Sequence, residues 1–99
     1  MTTIQKHIDL LGRNVADKVT GFRGVVTSVS FDLYGCIQAL VHPGTDADGK
    51  IKEQQYFDVN RILIVDVERV MAVPSFDWTD IAIAYGEKGP ADKPMSYKA

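Results

Sequence analysis

The stretch Lys18-Val-Thr-Gly-Phe-Arg-Gly-Val-Val-Thr-Ser-Val-Ser-Phe31 decides how the rest of the chain is read. Gly21 and Gly24 bracket Phe22-Arg23, and glycine enters tight-turn conformations that a Cβ disfavours. Lys18 to Val25 is therefore predicted to turn between two antiparallel strands. From Val25 onward, β-branched residues interleaved with small hydroxyl residues suit a pleated, half-buried strand. The centre of the protein is expected to be a small β-barrel.

On the N-terminal side, Ile4, Ile8 and Leu11 recur at helical spacing. Thr2 or Thr3 can cap the start and Gly12 sits where a helix would stop, which predicts a short helix over Ile4 to Leu11 leaning on the barrel. Arg13 to Val19 reads as a first strand, with Val15 and Val19 on one side and Asp17 between them, an edge-strand pattern. The second strand is expected to turn Val25, Val29 and Phe31 to the core and Val26, Ser28 and Ser30 outward. Asp32-Leu-Tyr-Gly35 reads as a tight connection. A third strand, Cys36 to Val41, then points Ile37, Ala39 and Val41 inward and Cys36, Gln38 and Leu40 outward.

His42-Pro-Gly-Thr-Asp-Ala-Asp-Gly49 holds too many breakers for a regular element and is expected to be an exposed loop. Lys50 to Asp58 supplies a fourth strand with Phe57 turned inward. Val59-Asn-Arg61 is a candidate helical or 3-10 turn ahead of a fifth strand, Ile62-Leu-Ile-Val-Asp-Val67. Five short strands at these intervals favour a mainly β fold: an SH3-like, partly open barrel with a short N-terminal helix. The fifth strand is apolar on both faces, where a one-sided barrel strand should alternate. Its second face therefore calls for a cover, either the chain's own end or a second copy.

Residues 1–67 are assigned to the helix and barrel, and residues 68–99 to a C-terminal arm. Pro74 blocks a helix through Val70-Met-Ala-Val-Pro-Ser-Phe-Asp-Trp78. This segment is expected to pack on the barrel or on a partner subunit through Val73, Phe76 and Trp78. Asp80 to Tyr85 alternates weakly, and Gly86 to Pro94 reads as a flexible, charged end.

Ninety-nine residues make one domain, and 11 basic against 13 acidic side chains give a net charge of −2. Residues 1–40 carry four basic and three acidic side chains and residues 41–99 carry seven and ten, so no basic stripe is visible in the sequence. Cys36 is the single cysteine, which excludes an intramolecular disulfide and suits a reducing compartment. The N-terminal residues lack the basic and apolar runs of a signal peptide, and the longest apolar run, Ile62 to Val65, is far short of a membrane span. A soluble, cytoplasmic protein is the expectation.

Four segments carry a resemblance. They are Gly12-Arg-Asn-Val-Ala-Asp-Lys-Val-Thr-Gly-Phe-Arg-Gly-Val-Val-Thr-Ser28, Phe31-Asp-Leu-Tyr-Gly-Cys-Ile-Gln38, Phe57-Asp-Val-Asn-Arg61 and Lys88-Gly-Pro-Ala-Asp-Lys-Pro94. Together they resemble a family of small uncharacterised proteins of phage and prophage genomes and integron cassettes, over nearly the whole chain. The resemblance implies a mobile-element origin and an SH3-like barrel, and it transfers no catalytic or binding residue.

The residues themselves offer little chemistry. Asp46-Ala-Asp-Gly49 is a fragment of a calcium-loop pattern, but Lys50 and Lys52 stand where further oxygen ligands would be needed. His7, Cys36 and His42 have no zinc-ligand spacing. Ser28, Ser30 and Cys36 fall in predicted strands with no base assigned to them. Gly21-Phe-Arg-Gly24 lacks the Lys-Ser/Thr end of a phosphate loop. No catalytic residue, metal or cofactor is therefore assigned. The strongest candidates for partner contact are Phe22 and Arg23 at the first turn, Leu33 and Tyr34 at the second, Leu40, Tyr56, Arg61, and Phe76 with Trp78. Aromatic side chains between loops line the peptide grooves of SH3-like barrels, although self-burial explains the same residues. These features predict a non-enzymatic protein-interaction or assembly module, working as a homo-oligomer or with a protein partner. The runner-up is a KOW- or Tudor-like nucleic-acid-binding barrel using Arg13, Lys18, Arg23 and Arg61 on one side.

Overall fold

The computed structural model describes residues 3–77. The expectations for Trp78, Asp80 to Tyr85 and Gly86 to Pro94 lie outside the described residues. A short helix α1 (Thr3–Ile8) leads into five strands: β1 (Arg13–Asp17), β2 (Arg23–Phe31), β3 (Ile37–His42), β4 (Gln55–Asp58) and β5 (Ile62–Arg69). The predicted 3-10 turn is present at Val59–Arg61, directly before β5. Asp58 caps it by accepting the Asn60 N–H at 2.8 Å, which satisfies an amide that a short turn leaves open. The helix ends at Ile8 rather than Leu11, and turns carry the chain on to Gly12.

All five strands pair antiparallel in one sheet of order β4-β3-β2-β1-β5. The first four strands form a meander and the fifth returns to lie beside the first. This is the mainly β, partly open SH3-like barrel expected from the strand spacing. Among the described residues the sheet does not close, and β4 and β5 are its two edges.

Val15, Val26, Ala39, Val41 and Phe57 form the buried core, with Leu10, Leu11, Phe22, Val29, Val59 and Ile62 packed around it. Expectations about β2 and about β1 are corrected here. Val26 was expected to face outward and is buried. Val26 lies opposite Val41 while Ser28 lies opposite Leu40, so Thr27 is an extra residue that reverses the alternation. Val26 before the bulge and Val29 after it therefore both reach the core, whereas Phe31, expected to face the core as well, is exposed at the strand's end. The second correction concerns β1. It is an interior strand between β2 and β5 rather than an edge, Asp17 is buried at its end, and Val19 beyond it is exposed.

The β2–β3 approach requires a glycine at its start. A Cβ at Gly24 would lie 2.3 Å from the backbone oxygen of His42, and backbone cannot swing aside as a side chain can. β5 carries the second irregularity. Two steps along β1, from Arg13 to Val15, face five along β5, from Arg69 to Ile64. The surplus residues swell outward around Val67, and Arg13 Nη1 donates to the Val67 carbonyl at 2.8 Å across the swelling.

Candidate functional site

At the turn after β1, sequence-predicted residues meet around a buried carboxylate. Arg61 donates to Asp17 through Nε and Nη2, both at 2.7 Å, a paired geometry that suits a planar guanidinium. The Thr20 amide donates to the same carboxylate at 2.9 Å and the Thr20 hydroxyl adds a further bond. The Arg61 guanidinium, with Thr20 and the Val19 amide, holds the Asp17 carboxyl well below the ordinary carboxylate range, against the opposing effect of desolvation. Phe22 packs on Phe57 with ring centroids 5.3 Å apart, and the Arg61 guanidinium lies 5.3 Å above the Phe57 ring. Phe22 and Arg61 are thus engaged in holding the turn against the barrel. Arg23, beside them, is exposed.

The remaining candidates are scattered. Leu33 and Tyr34 stand exposed at the β2–β3 tip, where Asp32 accepts the Tyr34 and Cys36 amides at 2.9 and 2.8 Å. Leu40 and Tyr56 face each other across β3 and β4 on the outer face, Leu40 half-buried and Tyr56 half-exposed. Phe76 lines an apolar groove elsewhere on the molecule. Trp78 lies outside the described residues. Among the described residues the aromatic candidates do not gather into one patch.

Among the described residues, Cys36, His7 and His42 are not brought together. Asp32 pushes the exposed Cys36 thiol above its ordinary value, the direction opposite to that of an activated thiolate. His42 accepts the Gly44 amide on Nδ1 at 2.9 Å, and the His7 ring makes an edge contact with Phe31. Among the described residues no group of three or more His, Cys, Asp or Glu is placed to hold a metal, and no helix is long and apolar enough to cross a membrane. Of the four cations named for a nucleic-acid face, Arg61 is paired to Asp17 and Arg13 bonds the Val67 carbonyl, while Lys18 and Arg23 are exposed.

Two apolar surfaces remain. One is a groove of about 480 Å³ between Leu11, Val26, Met71 and Phe76. Val70 donates its amide to the Gly12 carbonyl at 2.8 Å, which continues the β5 line and lays the following residues along this groove. The other surface is β5 itself. Leu63 is 52 % exposed, Ile64 47 %, Val65 38 % and Val67 86 %, on a strand whose outer edge has no neighbour among the described residues. The candidate site residues singled out in the sequence did not include these four, although the unbroken apolar run Ile62 to Val65 was its clearest anomaly. The opposite edge differs: β4 is only Gln55–Asp58 and follows the polar Lys52-Glu53-Gln54. Short polar edges resist pairing, and long apolar ones invite it.

Compared with family models, curated proteins and solved structures, the chain matches none.

Proposed function

We propose that this protein is a non-enzymatic protein-interaction or assembly module of a mobile element, acting in the reducing cytoplasm, and that β5 is its contact surface. The observation that carries the reading is the apolar strand Leu63-Ile64-Val65, exposed at a sheet edge that has no neighbouring strand among the described residues. An edge of this kind supplies main-chain hydrogen-bonding groups for affinity and alternating side chains for selectivity, the two parts of strand-addition recognition. Exposed apolar patches of a few hundred Å² commonly mark such contacts. The mobile-element origin rests on the resemblance through Gly12 to Ser28 and the three further segments. The single cysteine supports the compartment.

The test compares the native chain with Leu63→Lys, by size-exclusion chromatography with light scattering and by chemical crosslinking of the tagged chain in cell lysate. Leu63 is half-exposed, so the substitution is expected to leave the β-sheet circular dichroism unchanged. The native chain is expected to form species heavier than one chain in at least one of the two settings, and Leu63→Lys to lose them. Identical masses and crosslinking patterns for the two proteins would overturn the reading.

A further inference from the structure

The ladder between β1 and β5 fixes which way the backbone of each β5 residue points. Asp17 lies opposite Ile62, Ala16 opposite Leu63 and Val15 opposite Ile64. One step before this register, the Lys18 amide donates to the Arg61 carbonyl at 2.7 Å. In an antiparallel pair, hydrogen-bonded and non-bonded positions alternate. Arg61 and Leu63 therefore turn their N–H and C=O toward β1, and Ile62 and Ile64 turn theirs toward the open edge. The Ile62 N–H is already given to the Val59 carbonyl as the turn closes. Ile64 is left, in the middle of the apolar run, with both its donor and its acceptor presented outward.

We infer that the occupant of this edge is a second copy of the chain, paired β5 to β5 antiparallel about a two-fold axis through Ile64. The inference rests on the assembly reading above and names its partner. A residue that presents one N–H and one C=O on the same side is complementary to itself across a two-fold axis, where two such residues exchange two hydrogen bonds. In this register Leu63 of each copy lies opposite Val65 of the other, and Ile64 lies opposite Ile64, so uncharged apolar pairs occupy the centre. In this register Asp66 lies opposite Ile62, clear of like charge. An axis at Ile62 lacks the N–H that Ile62 has given to Val59, and an axis at Asp66 would oppose two carboxylates. Ile64 is the centre that keeps both backbone bonds and avoids that repulsion. The exposed apolar area of Leu63, Ile64, Val65 and Val67 continues along the chain into the open Val70 and Met71. The outward swelling at Val67 limits the paired stretch to the first half of β5, as bulges on edge strands do.

The experiment uses the full chain with Cys36→Ser as background, into which Ile64→Cys or Val67→Cys is introduced. Residues directly opposite in a hydrogen-bonded antiparallel pair have Cα atoms about 5.5 Å apart, within the range a disulfide spans. The background chain is expected at twice the single-chain mass by light scattering, and Ile64→Cys is expected to give a covalent dimer on mild oxidation of dilute protein. Val67→Cys, the more exposed site but three residues from the axis, is expected to remain uncrosslinked. A dimer in which Val67→Cys links as readily as Ile64→Cys overturns the register and the two-fold pairing. A single-chain mass throughout overturns self-pairing. In that case a lysate complex of the native chain that Leu63→Lys loses would leave the module reading standing with a different partner, and its absence would remove both.

Discussion

Asp17 shows how a residue can be misread at the scale of local pattern. In the sequence it interrupts Val15 and Val19 and suggests a strand facing water. In the fold its carboxylate is buried and gathers Arg61 and Thr20 into one cluster that locks the first turn. A carboxyl whose folded-state pKa is depressed contributes stability that is fully present above its unfolded value, and the contribution falls away as pH drops through the interval beneath it. The ordinary value is 3.8, so the cluster's contribution is constant at neutral pH and declines below about pH 4. Asp17→Asn removes the charge and leaves Arg61 without its partner. It is expected to lower the thermal midpoint at pH 7 and to flatten the dependence of stability on pH below 4. Thermal unfolding of both proteins from pH 2 to 7 measures this, and parallel curves would show that the cluster is not the source of the acid sensitivity.

The elements depend on two departures from regular pairing, and each governs which side chains face inward. On β2 the extra residue Thr27 lets Val26 and Val29 share the core, which a strict two-residue alternation forbids. The start of the same strand runs so close to β3 that only glycine fits at position 24. Gly24→Ala is expected to destabilise the fold by about 2 kcal/mol or more, since the new methyl group meets backbone rather than a mobile side chain. Denaturant titration checks this, and a change below about 0.5 kcal/mol, the ordinary range of a surface substitution, would contradict the close approach. A separate expectation belongs to Gly12, whose φ of +80° and Cβ position 2.8 Å from the Met71 carbonyl couple the helix–barrel junction to the segment after β5. Gly12→Ala is expected to loosen Val70 and Met71, seen as faster amide exchange at Val70, whose N–H donates to the Gly12 carbonyl.

At the scale of the whole molecule, the fully buried side chains are small. In the core cluster of the described residues valines and an alanine dominate, with Phe57 its one large member. A core of this size stabilises a domain only modestly, and further burial along β5 would add to it. Association that occurs only in the folded state raises the thermal midpoint with protein concentration by mass action. The native chain is therefore expected to melt higher at higher concentration, and Leu63→Lys to melt at a concentration-independent temperature. Scanning calorimetry over a hundredfold range of concentration distinguishes the two, and a midpoint independent of concentration in the native chain would count against a folded-state dimer.

The chain's linear pattern determined the number and order of the strands, the 3-10 turn before the last of them, the inward set Ala39, Val41 and Phe57, and the apolar excess of Ile62 to Val65. These depend on neighbours two to four residues apart, where periodicity, glycine and proline act directly. Tertiary structure alone decided that Val26 is buried, that Arg61 reaches Asp17, that the aromatic candidates stand apart, and that β5 lies at an open edge with Ile64 presenting its backbone. Each of these depends on a bulge, a register or a pairing between distant segments. A single inserted residue or a strand's place in the sheet changes which face is outward without altering the local pattern from which the sequence is read.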